Sequence, residues 1–283
     1  MNPNPLLKGP LGEIPITQPV VMGILNITPD SFFGGSRFTA LTDILKTAEN
    51  MLADGALILD IGGQSSRPGS DRIGPEEEWQ RVFPALDAIK KEFPKAWVSI
   101  DTYHAEVAQK AIELGADIIN DISFGEDDEA MFDVVSNQNI TYIGMHKIGN
   151  PKTMQNHADY EDVTETVGHY LKKRVSVAKN AGIQSIWVDP GFGFAKTAKQ
   201  NFELLRNLDR ISQEFPNLLV GISRKSMIYK TLNIAADDAL NGTSFLHAEA
   251  LRNGAKILRV HDVKPAVECI QLWQNLNAQN TDK

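Results

Sequence analysis

Basic residues stand at the ends of two short apolar runs in the second half of the chain. They are Arg224 and Lys225 in VGISRKS, and Arg259 and His261 in LRVH. Arg259 and His261 are two residues apart, so in a strand their side chains leave on the same side. Ser226 would lie near a helix start, where unpaired N–H groups and the helix dipole favour an anion. With Arg67, these residues predict a site for an anionic group. The alternative is that each cation pairs with a nearby carboxylate.

Acidic and amide residues end three other apolar runs. Asp101 follows WVSI, Asn120 follows ADII, and Asp189 follows SIWV. In a mostly dry pocket, carboxylates and an amide recognise a polar heterocycle by matching its donors and acceptors. One carboxylate can accept two parallel N–H bonds, from a ring N–H and an exocyclic amine. The alternative is that Asp101 or Asp189 caps the helix that follows it.

Asn26 ends the first apolar run, VVMGILN. Its side-chain carbonyl can ligate a hard cation such as Mg²⁺ beside substrate phosphates, although asparagine in such a position is also a common turn former. The chain has no HExxH, no CxxC pair and no histidine cluster, so we expect no zinc site made by the protein alone. The single cysteine, Cys269, is expected to be a small buried apolar residue.

Eight apolar runs separated by helix-length gaps predict one (β/α)8 barrel, an α/β TIM-barrel fold. In that fold the active site lies at the carboxyl ends of the strands, which is where the residues above stand. We expect residues 1–18 to form an N-terminal arm or a small lid at the bottom of the barrel, 19–276 the barrel and 277–283 a polar tail. The predicted strands are 19–26, 56–61, 97–101, 117–120, 140–145, 185–188, 218–222 and 256–260.

Composition limits the possible partners. The formal net charge of −8 over 283 residues argues against general nucleic-acid binding. No stretch is apolar enough to span a bilayer, so we expect no membrane partner. A single cysteine is typical of a reducing compartment, and we expect a cytoplasmic protein.

The motifs on these strands resemble those of dihydropteroate synthases, from about residue 20 to residue 272. Their joint occurrence and order make the resemblance specific. The matching blocks are GILNITPDSF (23–32), DIGGQSSRPGS (60–70), SIDTYHAEVA (99–108), GADIINDIS (115–123), MHKIGNPKTMQ (145–155), VDPGFGFAKT (188–197), VGISRKSMI (220–228) and LRVHDVK (258–264).

The resemblance implies condensation of 6-hydroxymethyl-7,8-dihydropterin pyrophosphate with p-aminobenzoate, giving 7,8-dihydropteroate and pyrophosphate in folate synthesis. It also implies a homodimer, with the last helices at the interface, and Mg²⁺ held on the pyrophosphate with the help of Asn26. The implied catalytic residues are Asp101, Asp189, Lys225, Arg259 and His261. The implied pterin and pyrophosphate residues are these five with Ser66, Arg67, Asn120 and Met145. The implied p-aminobenzoate residues are Ser66, Pro68, Phe194 and Ser226.

The mixture of charges agrees with that reaction. Loss of pyrophosphate ahead of attack, as in an SN1 reaction, leaves a cationic pterin methylene. Asp101 and Asp189 would stabilise the cationic ring, while Mg²⁺ and the basic residues would stabilise the departing charge. The arylamine then attacks the methylene carbon. Asp60, at the end of the second strand, is expected to be mainly structural, positioning the loop that carries Ser66 and Arg67.

Three positions depart from the family pattern. Gln64 stands where the family commonly has Glu, and Ser66 where it has Thr; serine keeps the hydroxyl. Phe33 and Gly34 replace the usual Ser-Asp of the first loop, so loop closure here would use a different contact. Sulfonamide response depends on the same loops.

Two other readings use the same residues. A methyltetrahydrofolate:corrinoid methyltransferase would share the pterin-reading Asp and Asn but needs no pyrophosphate clamp. A non-catalytic pterin-binding protein would keep the pocket alone, and only Gln64 and the altered first loop favour it. SRKS together with RVH favours the synthase.

Overall fold

The computed structural model describes residues 5–27, 37–64, 71–149 and 160–278. Its strands are β1 (Leu6–Gly9), β2 (Gly12–Pro15), β3 (Val20–Asn26), β4 (Ile58–Gly62), β5 (Trp97–Asp101), β6 (Ile118–Asp121), β7 (Thr141–Met145), β8 (Ser185–Asp189), β9 (Leu219–Val220) and β10 (Ile257–Val260). Its helices are α1 (Arg37–Ala53), α2 (Pro75–Glu92), α3 (Ala105–Glu113), α4 (Met131–Ser136), α5 (Val163–Asn180), α6 (Ala198–Arg206), α7 (Leu208–Glu214), α8 (Ser226–Leu232), α9 (Leu240–Arg252) and α10 (Val263–Asn277), with a 3₁₀ turn at Ala236–Asp238.

Strands β3 to β10 form one parallel sheet in the order β8-β7-β6-β5-β4-β3-β10-β9. A parallel bridge between Val188 and Leu218 joins the two edges, so the sheet closes into a barrel surrounded by helices. The predicted (β/α)8 fold is therefore confirmed, and each predicted strand end lies within two residues of the observed one. The strands are apolar along their length because both faces are buried, one inside the barrel and one beneath the helices.

Glycines end the helices that lead into the next strand. Gly55, Gly115 and Gly182, which follow α1, α3 and α5, have φ values of +99°, +94° and +98°. A residue with a Cβ is strained in this left-handed region, so glycine is the residue that allows the sharp turn back to the sheet. A glycine at each of these three positions is a sequence signal for the end of the preceding helix.

The N-terminal segment closes one end of the barrel. Strands β1 and β2 form an antiparallel hairpin, and Leu7 and Ile16 pack with the first residues of the barrel strands. The carbonyl of Leu6 accepts hydrogen bonds from Ser185 Oγ at 3.0 Å and Trp187 Nε1 at 3.1 Å. Because this end is filled, the carboxyl ends of the strands are the end at which a ligand can enter. None of the helices in the described ranges is long and apolar enough to cross a membrane.

We expect Leu7→Ala to destabilise the protein by about 2–5 kcal/mol, because it opens a cavity in a packed layer. Leu7 is 0% exposed, whereas Leu11, at the tip of the same hairpin, is 43% exposed. Leu11→Ala is the matched control and should change stability by no more than about 0.5 kcal/mol. Urea unfolding measures both, and equal effects of the two substitutions would show that the hairpin does not act as a plug.

Candidate active site

Parallel pairing brings the polar strand ends to one mouth of the barrel. In the sheet register Gly62 lies beside Asp101, Asp101 beside Asn120, and Met145 beside Asp189. The side chains of Asn120 and Asp189 are buried, and that of Asp101 is largely buried. These residues are distant in sequence, and the pairing of adjacent parallel strands makes them neighbours.

Arg259 joins two carboxylates at this mouth. Its Nε donates to Asp60 Oδ2 at 2.6 Å, and its Nη2 donates to Asp101 Oδ2 at 2.6 Å. Asn120 Nδ2 donates to the same Asp60 oxygen at 3.3 Å. Asp60 is therefore structural, as expected, but the groups it orients are Arg259 and Asn120.

Asp189 and Lys225 face each other beside Gly221. A Cβ built on Gly221 would lie 3.8 Å from Asp189 Oδ2 and 3.9 Å from Lys225 Nζ, so both groups converge on this point. Asp189 Oδ1 accepts from the Gly191 amide at 2.7 Å and closes the turn after β8. The ammonium of Lys225 donates to the carbonyl of Phe192 and lies 4.9 Å from the centre of the Phe194 ring.

Neither aspartate caps a helix, so the capping alternative is wrong for both. Thr197 caps α6 through a capping box with Gln200, and the residue before α3 is His104, whose side chain makes no cap. The carboxylates of Asp101 and Asp189 are instead directed at Arg259 and Lys225, as described above.

Burial sets the proton affinities of the cluster. It raises the pKa of Asp101 to about 7, against the opposing effect of Arg259. It also raises the pKa of Asp189, which Lys225 partly offsets. Burial lowers the pKa of Lys225 to about 8 despite Asp189. For Arg259 the lowering by burial is outweighed by Asp60 and Asp101, so its pKa is raised. Protons therefore move on and off this cluster near neutral pH.

The remaining predicted residues surround this cluster at different depths. His261 follows β10 at the exposed rim, and its Nδ1 lies 3.2 Å from Ser223 Oγ. Ser226 is the first residue of α8, and Asn26 ends β3 with an exposed side chain. Met145 is buried in a small apolar cluster with Phe194 against it. Ser66, Arg67 and Pro68, like Phe33 and Gly34, lie outside the described residues.

Arg224 does not join the anion site. Its guanidinium donates to both carboxylate oxygens of Asp262, at 2.7 Å and 2.9 Å, and to the Ala236 carbonyl at 3.1 Å. The expectation of a free cation at this position is wrong, and the alternative of a carboxylate pair is correct. Its φ of +53° turns the backbone so that the side chain reaches this pair.

Gln64 links the two described ends of the second loop, which joins β4 to α2. Its Oε1 accepts from the Ile73 amide at 2.7 Å and from the Tyr103 hydroxyl at 3.0 Å. Both bonds use an acceptor oxygen and neither needs a charge, so glutamine fills this place where the family commonly has glutamate. The partners of Gln64 come from separate segments, so the sequence carried no local signal of this arrangement.

Glu78, on α2, is buried beside Gly63 at the start of the same loop. Its Oε2 accepts from Thr102 Oγ1 at 2.9 Å, and burial raises its pKa to about 8. A Cβ on Gly63 would lie 2.8 Å from Val82 and 3.1 Å from the Glu78 carbonyl, so the loop begins in close contact with α2. Glu78 is therefore largely protonated at neutral pH and adds no full charge next to Asp101.

Comparison with known proteins places this geometry in a family. The family described as pterin binding enzyme matches residues 22–261. Dihydropteroate synthase of Escherichia coli (strain K12) is 41% identical over 262 residues, covering 92% of this chain and 92% of the relative. The chain belongs to the dihydropteroate synthase family. It is therefore a transferase of folate synthesis, and the synthase reading is confirmed over the methyltransferase and non-catalytic readings.

Solved members of the dihydropteroate synthase family share the whole fold. Dihydropteroate synthase of Xanthomonas albilineans with 4-aminobenzoic acid has a TM-score of 0.89 and 33% identity, covering 98% of this chain and 99% of that one. The enzyme of Burkholderia cenocepacia complexed with 7,8-dihydropteroate has a TM-score of 0.86 and 36% identity. The match covers 98% of this chain and 97% of that one. The hairpin and barrel described above are thus common architecture.

We expect Glu78→Gln to flatten the dependence of stability on pH. The pKa of Glu78 rises from 4.5 to about 8 on folding, so its stabilising effect is complete below pH 4.5 and is lost as pH rises through 8. Each pH unit in that window removes up to about 1.4 kcal/mol from the free energy of unfolding. Denaturant unfolding from pH 5 to pH 8 measures the slope.

The exposed Glu76, on the first turn of the same helix, supplies the control Glu76→Gln, which should keep the wild-type slope. The raised pKa values of Asp101, Asp121 and Asp189 affect all three proteins in the same direction, so the comparison isolates Glu78. A Glu78→Gln profile as steep as that of the wild type would contradict the assignment.

Proposed function

We propose that this protein condenses 6-hydroxymethyl-7,8-dihydropterin pyrophosphate with p-aminobenzoate, releasing 7,8-dihydropteroate and pyrophosphate. The buried cluster of Asp101, Asn120, Asp189, Lys225 and Arg259 carries the proposal. Relatives whose solved structures hold 4-aminobenzoic acid or 7,8-dihydropteroate support the choice of substrate and product. The lone cysteine supports a cytoplasmic location, as the sequence predicts.

The pterin is proposed to bind against the acidic and amide groups. Asp101 and Asp189 offer acceptors to ring and exocyclic N–H groups, and Lys225 offers a donor, in a site where burial strengthens each bond. Met145 supplies an apolar contact. With a pKa of about 8, Lys225 is largely protonated at pH 7 and can donate.

Pyrophosphate loss is proposed to run ahead of amine attack. Asp101 and Asp189 lie in one buried mouth and would stabilise positive charge that develops on the pterin ring. Arg259, His261 and Arg67 would stabilise the negative charge that leaves with the pyrophosphate. Arg259 is held rigidly by Asp60 and Asp101, so little reorganisation is needed when that charge appears.

Asn26 is proposed to help hold Mg²⁺. Among the described residues no group of three or more His, Cys, Asp or Glu side chains could hold a metal ion. A single exposed amide oxygen at the barrel mouth fits Mg²⁺, which keeps several waters and takes its other ligands from phosphate. When bound, the ion would neutralise charge on the leaving pyrophosphate.

The p-aminobenzoate is proposed to bind between Phe194 and the start of α8. Phe194 is half-buried beside Lys225 and presents an aromatic face. Ser226 would receive the carboxylate, and Ser66 and Pro68 would complete the site from the second loop. The amine would then face the pterin pocket.

The decisive test mixes the protein with Mg²⁺, the dihydropterin pyrophosphate and labelled p-aminobenzoate. We expect labelled dihydropteroate. In the same assay Lys225→Ala should lower kcat/KM by about 30- to 1000-fold, equivalent to about 2–4 kcal/mol of transition-state stabilisation. Lys230→Ala, at an exposed lysine on α8, the helix that begins directly after Lys225, is the control and should behave as wild type. Absence of product from the wild type would exclude the function, and a fully active Lys225→Ala would exclude that role.

We also propose that the protein is a homodimer through α9 and α10. Phe245 on α9 is 74% exposed, and Leu272 and Leu276 on α10 are 69% and 85% exposed. The two helices pack together, and Cys269 Sγ donates to the Ser244 carbonyl between them at 3.5 Å. Large apolar side chains this exposed on adjoining helices are typical of an association surface.

Sedimentation of the wild type should therefore give twice the monomer mass. Phe245→Asp places a charge in the proposed interface and should yield monomer, because an unpaired charge is costly to bury. Phe83→Asp, at an exposed aromatic on the distant helix α2, is the control and should leave the dimer intact. A monomeric wild type, or a Phe245→Asp protein that remains dimeric, would exclude this surface.

A further inference from the structure

The turn between β8 and α6, residues 190–197, is built around one buried lysine. Lys196 is 3% exposed, and its Nζ lies 2.9 Å from His146 Nδ1, 2.9 Å from the Gly191 carbonyl and 3.1 Å from the Phe194 carbonyl. An ammonium group has three N–H donors and no acceptor. All three donors of Lys196 are therefore matched by acceptors, two of which belong to the turn itself.

These contacts fix the path of the turn. The Gly191 carbonyl also accepts from the Phe194 amide at 3.1 Å. The backbone from Gly191 to Phe194 is therefore held twice, by this bond and by the bonds of Lys196 to both carbonyls. Ala195 has a φ of +49°, which is a strained conformation for a residue with a Cβ and needs support from its surroundings. A Cβ on Gly191 would lie 1.9 Å from the His146 carbonyl, so the turn rests directly on the end of β7.

The opposite side of the same turn faces the proposed substrate site. There Lys225 donates to the Phe192 carbonyl and lies 4.9 Å from the Phe194 ring centre. Lys196 thus holds the turn from inside the protein, while Lys225 contacts it from the pocket. A change at Lys196 reaches the pocket through the backbone of Phe194.

We propose that Lys196, with His146 as its acceptor, is a positioning residue that sets the place of Phe194 and thereby the affinity for p-aminobenzoate. The proposal rests on the proposed function, because it deepens the account of that same site. Lys196 does not contact the substrate and acts only through the turn. It should therefore affect the second substrate far more than the pterin pyrophosphate.

The arrangement requires a charged lysine and a neutral histidine. Burial and the neighbouring ammonium lower the pKa of His146 well below its usual value, so the ring is neutral, and Nδ1 accepts in the tautomer that carries its proton on Nε2. Burial lowers the pKa of Lys196 to about 7. The carboxylate of Asp189 opposes this lowering, and the ammonium of Lys225 adds to it. The rings of Tyr160 and Tyr170 face His146 from the other side. Loss of the Lys196 proton would remove one of its three bonds.

Steady-state kinetics of the full-length protein test this inference. Lys196→Met keeps the length of the side chain and removes the donors. It should raise the KM for p-aminobenzoate by about ten- to a hundredfold, since a small misplacement of a positioning group has effects of this size. The KM for the pterin pyrophosphate and kcat should change by less than about threefold. Lys199→Met, an exposed lysine three residues along the chain, should match the wild type.

His146 provides a second pair of variants in case Lys196→Met does not fold. His146→Asn keeps an acceptor oxygen near the place of Nδ1 and should retain near-normal KM values, whereas His146→Leu removes it and should reproduce the Lys196→Met effect. Equal increases in both KM values, a loss confined to kcat, or a His146→Asn protein as impaired as His146→Leu would each overturn the inference.

Hydrogen exchange of the segment 190–197 separates this inference from the proposed function. Exchange in the free protein should be faster in Lys196→Met than in the wild type, because the turn has lost its internal bonds. An inactive wild type would overturn the proposed function and leave this measurement intact. Unchanged exchange would overturn the positioning role whatever the activity.

Discussion

The shared ion pair of Arg259 with Asp60 and Asp101 is the constraint on which the site depends. Buried charges are costly unless paired with good geometry, and here one guanidinium serves two carboxylates at 2.6 Å each. The three residues come from β10, β4 and β5. These strands lie in one continuous part of the sheet, β5-β4-β3-β10, so the pairing that forms the sheet also assembles the pocket.

Arg259 pairs with the carboxylates of both Asp60 and Asp101. The pocket therefore contains several carboxylates without carrying a large net negative charge. Asp101 has a pKa raised by burial to about 7, and the pKa of Asp189 is raised by the same cause. A ligand that becomes positively charged would favour the ionised forms of both acids. The site is therefore suited to a cation that develops during reaction, rather than to one that is already present in the ground state.

The sequence was sufficient for the fold and for the groups at the strand ends. Apolar runs of strand length, glycine stops and polar ends placed Asp101, Asn120, Asp189, Lys225 and Arg259 at one mouth, where the structure has them. Other contacts depend on how distant segments pack, which no local pattern reveals. These include Lys196 with His146, Gln64 with Tyr103, and Arg224 with Asp262. The position of the N-terminal segment at the bottom of the barrel was predicted, but its two short strands were not, because they are recognisable only against the barrel residues that they cover.

The two halves of the proposed site rest on supports of different rigidity. The pterin-facing groups Asp101 and Asn120 belong to central strands, each paired on both sides by backbone hydrogen bonds. On the proposed p-aminobenzoate side, Phe194 lies in a turn whose backbone is fixed by a few side-chain bonds. Opening such a turn costs less free energy than opening a central strand. Substitutions around the turn can therefore shift Phe194 while the central strands that carry Asp101 and Asn120 keep their geometry.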